Sequence, residues 1–220
     1  MKKLINGIIE FRKNTQDSYR EKFAKLALEQ KPDALFICCS DSRVAPNAFA
    51  STNPGDLFVI RNVGNIIPPS SSGYSMGDES EIAAFEYAIQ TLNVKNIIIC
   101  GHAECGAINA ICNGIDNLPP THPHLKSWLK YGAASLQRFH RHDIDNNELP
   151  EHNQISQAHV LQQIEHVKTY PLVRERIEAG TLGIHGWWFD INNANVFVYS
   201  DKLKKFTLID EEYMNNEVKE

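Results

Sequence analysis

The chain has 220 residues, a net charge of −5 and a 42 % apolar share, which suits one domain with a real core. The acidic balance and the lack of a basic block argue against nucleic acid or an anionic membrane as the main partner. No apolar run approaches the roughly 20 residues a membrane helix needs, and the apolar stretch after Met1-Lys2-Lys3 breaks too soon for a secretory signal, so a cytoplasmic protein is expected.

Residues 1–30 read as a helical arm. Leu4, Ile5, Ile8, Ile9 and Phe11 recur at helical spacing, and Phe23, Leu26 and Ala27 do so again after the polar break Asn14-Thr15. Residues 31–210 read as an α/β core. Its first strand is the short apolar run Ala34–Cys38, which suits a strand covered on both faces. Asp56–Ile60, introduced by Asn53-Pro54-Gly55, is a second strand, and Asn96–Cys100 a third. Between those two, Ile82, Phe85, Ala88, Ile89 and Leu92 form one apolar stripe of a helix over 79–93. Strand, helix, strand in this order is a crossover unit and predicts a parallel sheet.

A helix is expected from Gly106 to about Asn113-Gly114, with others at 123–142, 152–169 and 171–179 and a polar loop over 143–150. Leu182–Phe189 and Asn195–Tyr199 alternate like strands about an Asn192-Asn193 turn, and Phe206–Ile209 suits an edge strand. Residues 211–220 form a tail too polar to pack. The fold class expected is therefore α/β: a central, mostly parallel β-sheet flanked by helices, with a helical N-terminal arm.

The five cysteines, Cys38, Cys39, Cys100, Cys105 and Cys112, all lie in the first 112 residues. An odd set in a reducing compartment points to metal, catalysis or burial before disulfides. Cys38 and Cys100 end apolar runs, and Cys112 shares a helix face with Ile108 and Ile111; all three read as small buried hydrophobes. Cys39 and Cys105 do not, because charged and glycine-rich neighbours follow each at once. Both sit at C-terminal ends of expected parallel strands, the edge where ligands bind in open α/β sheets. If those strands are neighbours, Cys39, His102 and Cys105 converge. Two thiolates and an imidazole are a three-ligand set for zinc, and a catalytic zinc keeps its fourth position for water.

Asp41 and Arg43 stand two residues apart just after the first strand. A carboxylate held by a guanidinium stays ionised and aimed, and it could accept a hydrogen bond from a zinc-bound water. The same carboxylate is a competent zinc ligand, so by swinging onto the metal it would close the site; on its own, an Asp-x-Arg pair is as readily a surface ion pair. Among the other histidines, His159 and His166 lie among glutamines and read, with His140 and His142, as solvated helix residues. His185 interrupts a strand and reads as a hydrogen-bonded core group.

Cys39-Ser40-Asp41-Ser42-Arg43-Val44, Arg61-Asn62-Val63-Gly64-Asn65 and Gly101-His102-Ala103-Glu104-Cys105-Gly106-Ala107 together resemble a β-class carbonic anhydrase from about residue 20 to residue 200. The resemblance implies a zinc enzyme that hydrates carbon dioxide reversibly to bicarbonate and a proton. It gives Cys39, His102 and Cys105 the role of zinc ligands, and Asp41 and Arg43 that of a catalytic dyad orienting the attacking hydroxide. Asp41 is a fourth ligand only in a closed state. Gln30, Phe58, Val63 and Tyr87 match the carbon dioxide pocket of the plant-like, open-site subtype, whereas Phe36, Cys38 and Phe189 stand where the bicarbonate-inhibited subtype has tryptophan, glycine and tyrosine. Gly64, where alanine is common, and Ala103-Glu104 depart from the family pattern.

The resemblance further implies a homodimer or higher even-numbered homo-oligomer, with pocket residues shared between chains and the arm wrapping a partner. Two thiolate ligands make acidification of water harder than three histidines do, so activity should rise with pH. Carbon disulfide or carbonyl sulfide hydrolysis on the same scaffold, and a structural zinc or thiol-redox protein, remain the alternatives at this point.

Overall fold

The computed structural model describes residues 1–71, 74–75, 79–141, 144 and 148–217, so residues 143 and 145–147 of the expected polar loop over 143–150, and His142, lie outside the described residues. The arm is two helices, α1 (Lys2–Asn14) and α2 (Gln16–Leu26), broken at Thr15 as the polar pair there requires. Neither helix buries a single residue. The core follows with β1 (Ala34–Cys39), a short α3 (Pro46–Phe49), β2 (Leu57–Asn62), a two-residue ribbon of β3 (Ser70–Ser71) and β4 (Tyr74–Ser75), α4 (Ser80–Glu86), β5 (Asn96–His102) and α5 (Gly106–Cys112). Then come α6 (Pro123–Leu129), α7 (Ala134–His140), α8 (Glu151–Lys168), α9 (Pro171–Glu178), β6 (Gly183–Asp190), β7 (Asn195–Ser200), β8 (Lys205–Leu208) and α10 (Glu211–Glu217).

Among the described residues the main sheet runs β2-β1-β5-β6-β7-β8. The first four strands are parallel, and β7 and β8 are antiparallel additions. The chain leaves β1 towards β2, then crosses back over β1 to β5. The strand order therefore reverses between β1 and β5, and the crevice beyond their C-terminal ends is the binding position of such a sheet.

The period-2 rule assigns the core. Leu35, Ile37, Ile97 and Ile99 pack under Phe85, Ile89, Val160 and Tyr170, while Phe36, Cys38, Ile98 and Cys100 form the opposite layer with Val44 and Phe189. All six residues of β1 are buried, as its unbroken apolar run requires. In contrast, β2 is an edge strand. Its Leu-Phe-Val-Ile run is as apolar as that of β1, yet none of its residues is fully buried.

Several expectations need correction. The helix expected over 79–93 gives way at Tyr87 to a wide turn over Tyr87–Thr91, a rare conformation often found at functional positions. The helix expected over 123–142 is two helices joined by a tight turn at Lys130–Gly132. Residues 211–217 form a short helix, α10, which buries no described residue; its Tyr213 and Met214 line a cavity of about 410 Å³ together with Trp187, Val198 and Ile209. His159 and His166 are buried and hydrogen-bonded, not solvated. Two of their glutamine neighbours, Gln157 and Gln163, are themselves buried, so glutamines beside a histidine do not mark a solvated face here. His185 is hydrogen-bonded, to Asn96 Oδ1 at 3.0 Å, but on an exposed part of the sheet.

Candidate metal centre

β1 and β5 pair in parallel with Cys38 opposite Cys100, so Cys39 leaves β1 beside the end of β5. His102 closes β5, and Cys105 caps the first turn of α5. The two intervening residues turn the chain back, with Glu104 held at φ +54°. Register alone thus brings three donors together: Cys39 Sγ, a ring nitrogen of His102 and Cys105 Sγ all lie within 4.8 Å of one another, and all three residues are buried.

The donor set fits a zinc ion on three counts. First, His102 Nδ1 lies 2.8 Å from the Ala103 carbonyl, which can only accept, so the proton sits on Nδ1. Nε2 is then left with a bare lone pair, buried and with no hydrogen-bond partner among the described residues. An imidazole oriented by its other nitrogen in this way is the usual metal-binding arrangement. Second, the two thiols compete for one proton. The bond to Cys105 draws the Cys39 thiol far below its ordinary value, aided by His102, Gly64 and Asp41, and the same bond pushes Cys105 up. A dication between them replaces that proton. Third, the backbone N–H groups of Gly64 and Asp41 approach Cys39 Sγ at 3.3 and 3.4 Å, and such donors suit a thiolate. Ile66, Ile108, Ile111 and Ile155 form an apolar wall behind the sulfurs.

Asp41 and Arg43 make a two-pronged pair in front of the donors. Arg43 Nε donates to Oδ1 at 2.9 Å and Nη2 to Oδ2 at 2.7 Å, while the Arg43 backbone N–H also reaches Oδ1. These bonds hold the Asp41 carboxyl well below the usual carboxylate range. Arg43 Nη2 reaches on to the carbonyl of Glu104, 3.0 Å away, which ties the pair to the turn between His102 and Cys105.

The remaining pocket candidates divide. Val63 adjoins Gly64, whose N–H faces Cys39, and is itself fixed by Trp128 Nε1 donating to its carbonyl at 2.8 Å. Gln30, Phe58 and Tyr87 form a separate cluster: Gln30 Nε2 lies 3.5 Å from the Tyr87 hydroxyl, and the Phe58 and Tyr87 rings are 5.8 Å apart. Cys39 pairs with Asn62, whereas Phe58 pairs with Leu35. Four residues of strand, about 13 Å at ~3.3 Å per residue, therefore separate this cluster from the metal donors of its own chain.

Arg61 had no role assigned from sequence. Its guanidinium donates to the carbonyls of Cys39, Asp41 and Val44 at 2.8–2.9 Å, clamping the loop that carries the dyad. Gly64 is required twice over: φ is +80°, and a Cβ there would stand 2.8 Å from that of Ala107. An arginine and a glycine inside one five-residue motif at a strand end were the available signal.

Fold and site define an α/β protein whose candidate metal donors, Cys39, His102 and Cys105, sit at a sheet switch point. The family model described as carbonic anhydrase matches residues 34–196, and the chain belongs to that family. Its class is the β-class and its activity the hydration of carbon dioxide. The carbonic anhydrase of Synechocystis is 38 % identical over 210 residues, covering 94 % of this chain and 73 % of the relative. That of Pseudomonas aeruginosa is 34 % identical over 215 residues, 96 % and 93 % of the two chains. The solved β-carbonic anhydrase CcaA superposes with a TM-score of 0.84 at 36 % identity, covering 96 % of this chain and 92 % of its own. Tetrameric β-carbonic anhydrases from Sordaria macrospora superpose at 0.73 and 28 % identity, over 89 % and 94 %.

Proposed function

We propose that the chain is a zinc enzyme catalysing reversible hydration of carbon dioxide to bicarbonate and a proton, with Cys39, His102 and Cys105 holding the ion. The observation that carries this reading is the buried His102 Nε2, aimed without a partner among the described residues and grouped with two sulfurs. Bound zinc supplies acidified water, and hence hydroxide, near neutral pH. Asp41 is the hydrogen-bond acceptor beside that position. With both oxygens engaged by Arg43 it stays ionised, and it orients a hydroxyl group by accepting its hydrogen bond. The carboxylate faces Arg43 and not the donors, which supports the open-site subtype.

The substrate pocket is proposed to be built from two copies of this chain. Gln30, Phe58 and Tyr87 lie a strand's length from their own chain's donors. The apolar edge β2 and the arm, with Leu4, Ile5, Ile8 and Ile9 exposed, have the composition of surface that a partner covers. A partner pairing along β2 brings its own Gln30, Phe58 and Tyr87 towards this chain's metal, where the rings confine carbon dioxide and the Gln30 amide donates to a product oxygen. Homology with tetrameric relatives supports such an assembly.

The test pairs metal analysis with stopped-flow carbon dioxide hydration on the purified protein. One zinc per chain and activity that disappears on chelation and returns with zinc are expected. Full hydration activity in protein stripped of metal would overturn the reading.

A further inference from the structure

The longest helix carries a polar ridge in the wrong place for an ordinary amphipathic helix. α8 is covered on most of its circumference, and Asn153, Ser156, His159, Gln163 and His166 are all buried at spacings of three or four residues. Such spacing puts them along one side of the helix. Burying five polar side chains in a row costs free energy unless each finds a partner. Each does, and the partners are backbone groups of the segments that carry or flank the metal donors.

Asn153 Oδ1 accepts from the Glu104 N–H at 2.9 Å, fixing the turn between His102 and Cys105. Ser156 Oγ donates to the His102 carbonyl at 2.8 Å and itself receives Trp188 Nε1–H at 3.1 Å. His159 Nε2 lies 2.8 Å from the Gly64 carbonyl, and its Nδ1 lies 2.7 Å from Ser135 Oγ. A carbonyl only accepts, so Nε2 carries the proton and Nδ1 accepts from the serine. The imidazole is thereby held neutral, in one tautomer, with its N–H on Gly64. That residue's own N–H faces Cys39 Sγ.

We propose that this ridge of α8 is the positioning device of the metal centre, with His159 setting Gly64, and through it the N–H that faces Cys39, while Ser156 and Asn153 set His102 and the turn to Cys105. The proposal rests on the zinc reading above. A strand-end site whose donors come from two distant pieces of chain has no local sequence to order them together. A rigid helix bonded to the His102–Cys105 turn and to Gly64, whose N–H faces Cys39, supplies the missing order, as outer partners do for metal ligands generally. His159, Ser156 and Asn153 are positioning residues; none is placed against substrate.

The experiment compares wild type, His159→Leu, His159→Gln and Ser156→Ala as purified full chains. Zinc affinity is measured by competition with a chromophoric chelator, thiolate-to-metal absorption after cobalt substitution, and thermal midpoint without metal. His159→Leu should weaken zinc by roughly 10- to 100-fold, the scale of lost outer-shell partners, and alter the cobalt absorption. His159→Gln, which keeps an N–H donor, should recover most of both, and Ser156→Ala should weaken zinc by a smaller factor. Should His159→Leu fail to fold, the Ser156→Ala affinity and cobalt spectrum decide alone. Variants that lose thermal stability yet bind zinc and cobalt as wild type does would overturn the proposal while leaving the zinc reading intact. A wild type that binds neither ion would overturn both.

Discussion

The two ends of the β1–β2 pair differ in a way that says how this enzyme is built. At the C-terminal end, around Cys39, the three candidate donors are buried and the loops around them clamped: Arg61 holds the loop that carries Asp41, Arg43 holds Asp41, and α8 holds the turn behind His102. Nearer the N-terminal end, around Phe58, the same sheet presents a half-exposed apolar edge beside Gln30, Tyr87 and an arm that buries nothing. The first region is complete in one chain. The second has the composition of an interior and the exposure of a surface, which is what the proposed two-copy pocket requires of each protomer.

Disabling the complete end should have the largest effect. Cys39→Ser or His102→Ala should lose zinc and hydration together, read by metal analysis and stopped flow; a metal-free variant with wild-type turnover would remove these residues from the centre. Next comes Asp41→Asn, which should keep zinc but lower kcat on the order of 10²-fold or more, the usual scale for a side chain positioned on the reacting hydroxyl. Unchanged kcat would reduce the Asp41–Arg43 pair to a surface ion pair.

At the incomplete end, Val59→Lys puts a charge on the exposed edge of β2, a substitution that blocks strand-edge pairing. It should shift the protein towards monomer in light scattering and cut hydration by about tenfold, the effect of losing ~1.4 kcal/mol of positioning, with zinc retained. A fully active monomer would show that one chain makes its own pocket.

An effect on stability alone, and not on turnover, separates the α8 ridge from both ends. Burial lowers the His159 pKa from 6.5 to about 4. Between those values the unfolded chain holds a proton that the native state refuses, so native stability falls as pH drops through that window. Each tenfold change in proton affinity is worth ~1.36 kcal/mol, so the metal-free wild type should lose about 3 kcal/mol more than His159→Gln between pH 7 and pH 4. Parallel losses in the two proteins, followed by urea unfolding, would mean that His159 is not buried in its neutral form.

Much of the site was legible because its signals are local. A cysteine followed at once by Ser-Asp-Ser-Arg cannot be read as plain core, and His102-x-x-Cys105 at a strand end offers two donors in one turn. The buried helix was misread for the opposite reason. A polar residue between glutamines looks solvated whenever its partner is a carbonyl almost a hundred residues away, as Gly64 is from His159 and Ile67 from His166. The α10 helix itself was not legible, since two apolar side chains among acids are too few to show as a period.

By itself, the sequence determined the strands, the candidate donors and the family, because apolar periodicity and ligand chemistry are properties of neighbouring residues. Only the tertiary structure decided that β2 is an edge whereas β1 is a centre, that Phe58 and Tyr87 stand a strand's length from their own metal donors, and that α8 turns its polar side inward. Those facts depend on which distant segments become neighbours. A run of Leu-Phe-Val-Ile has the same hydropathy whether the next strand belongs to its own chain or to another.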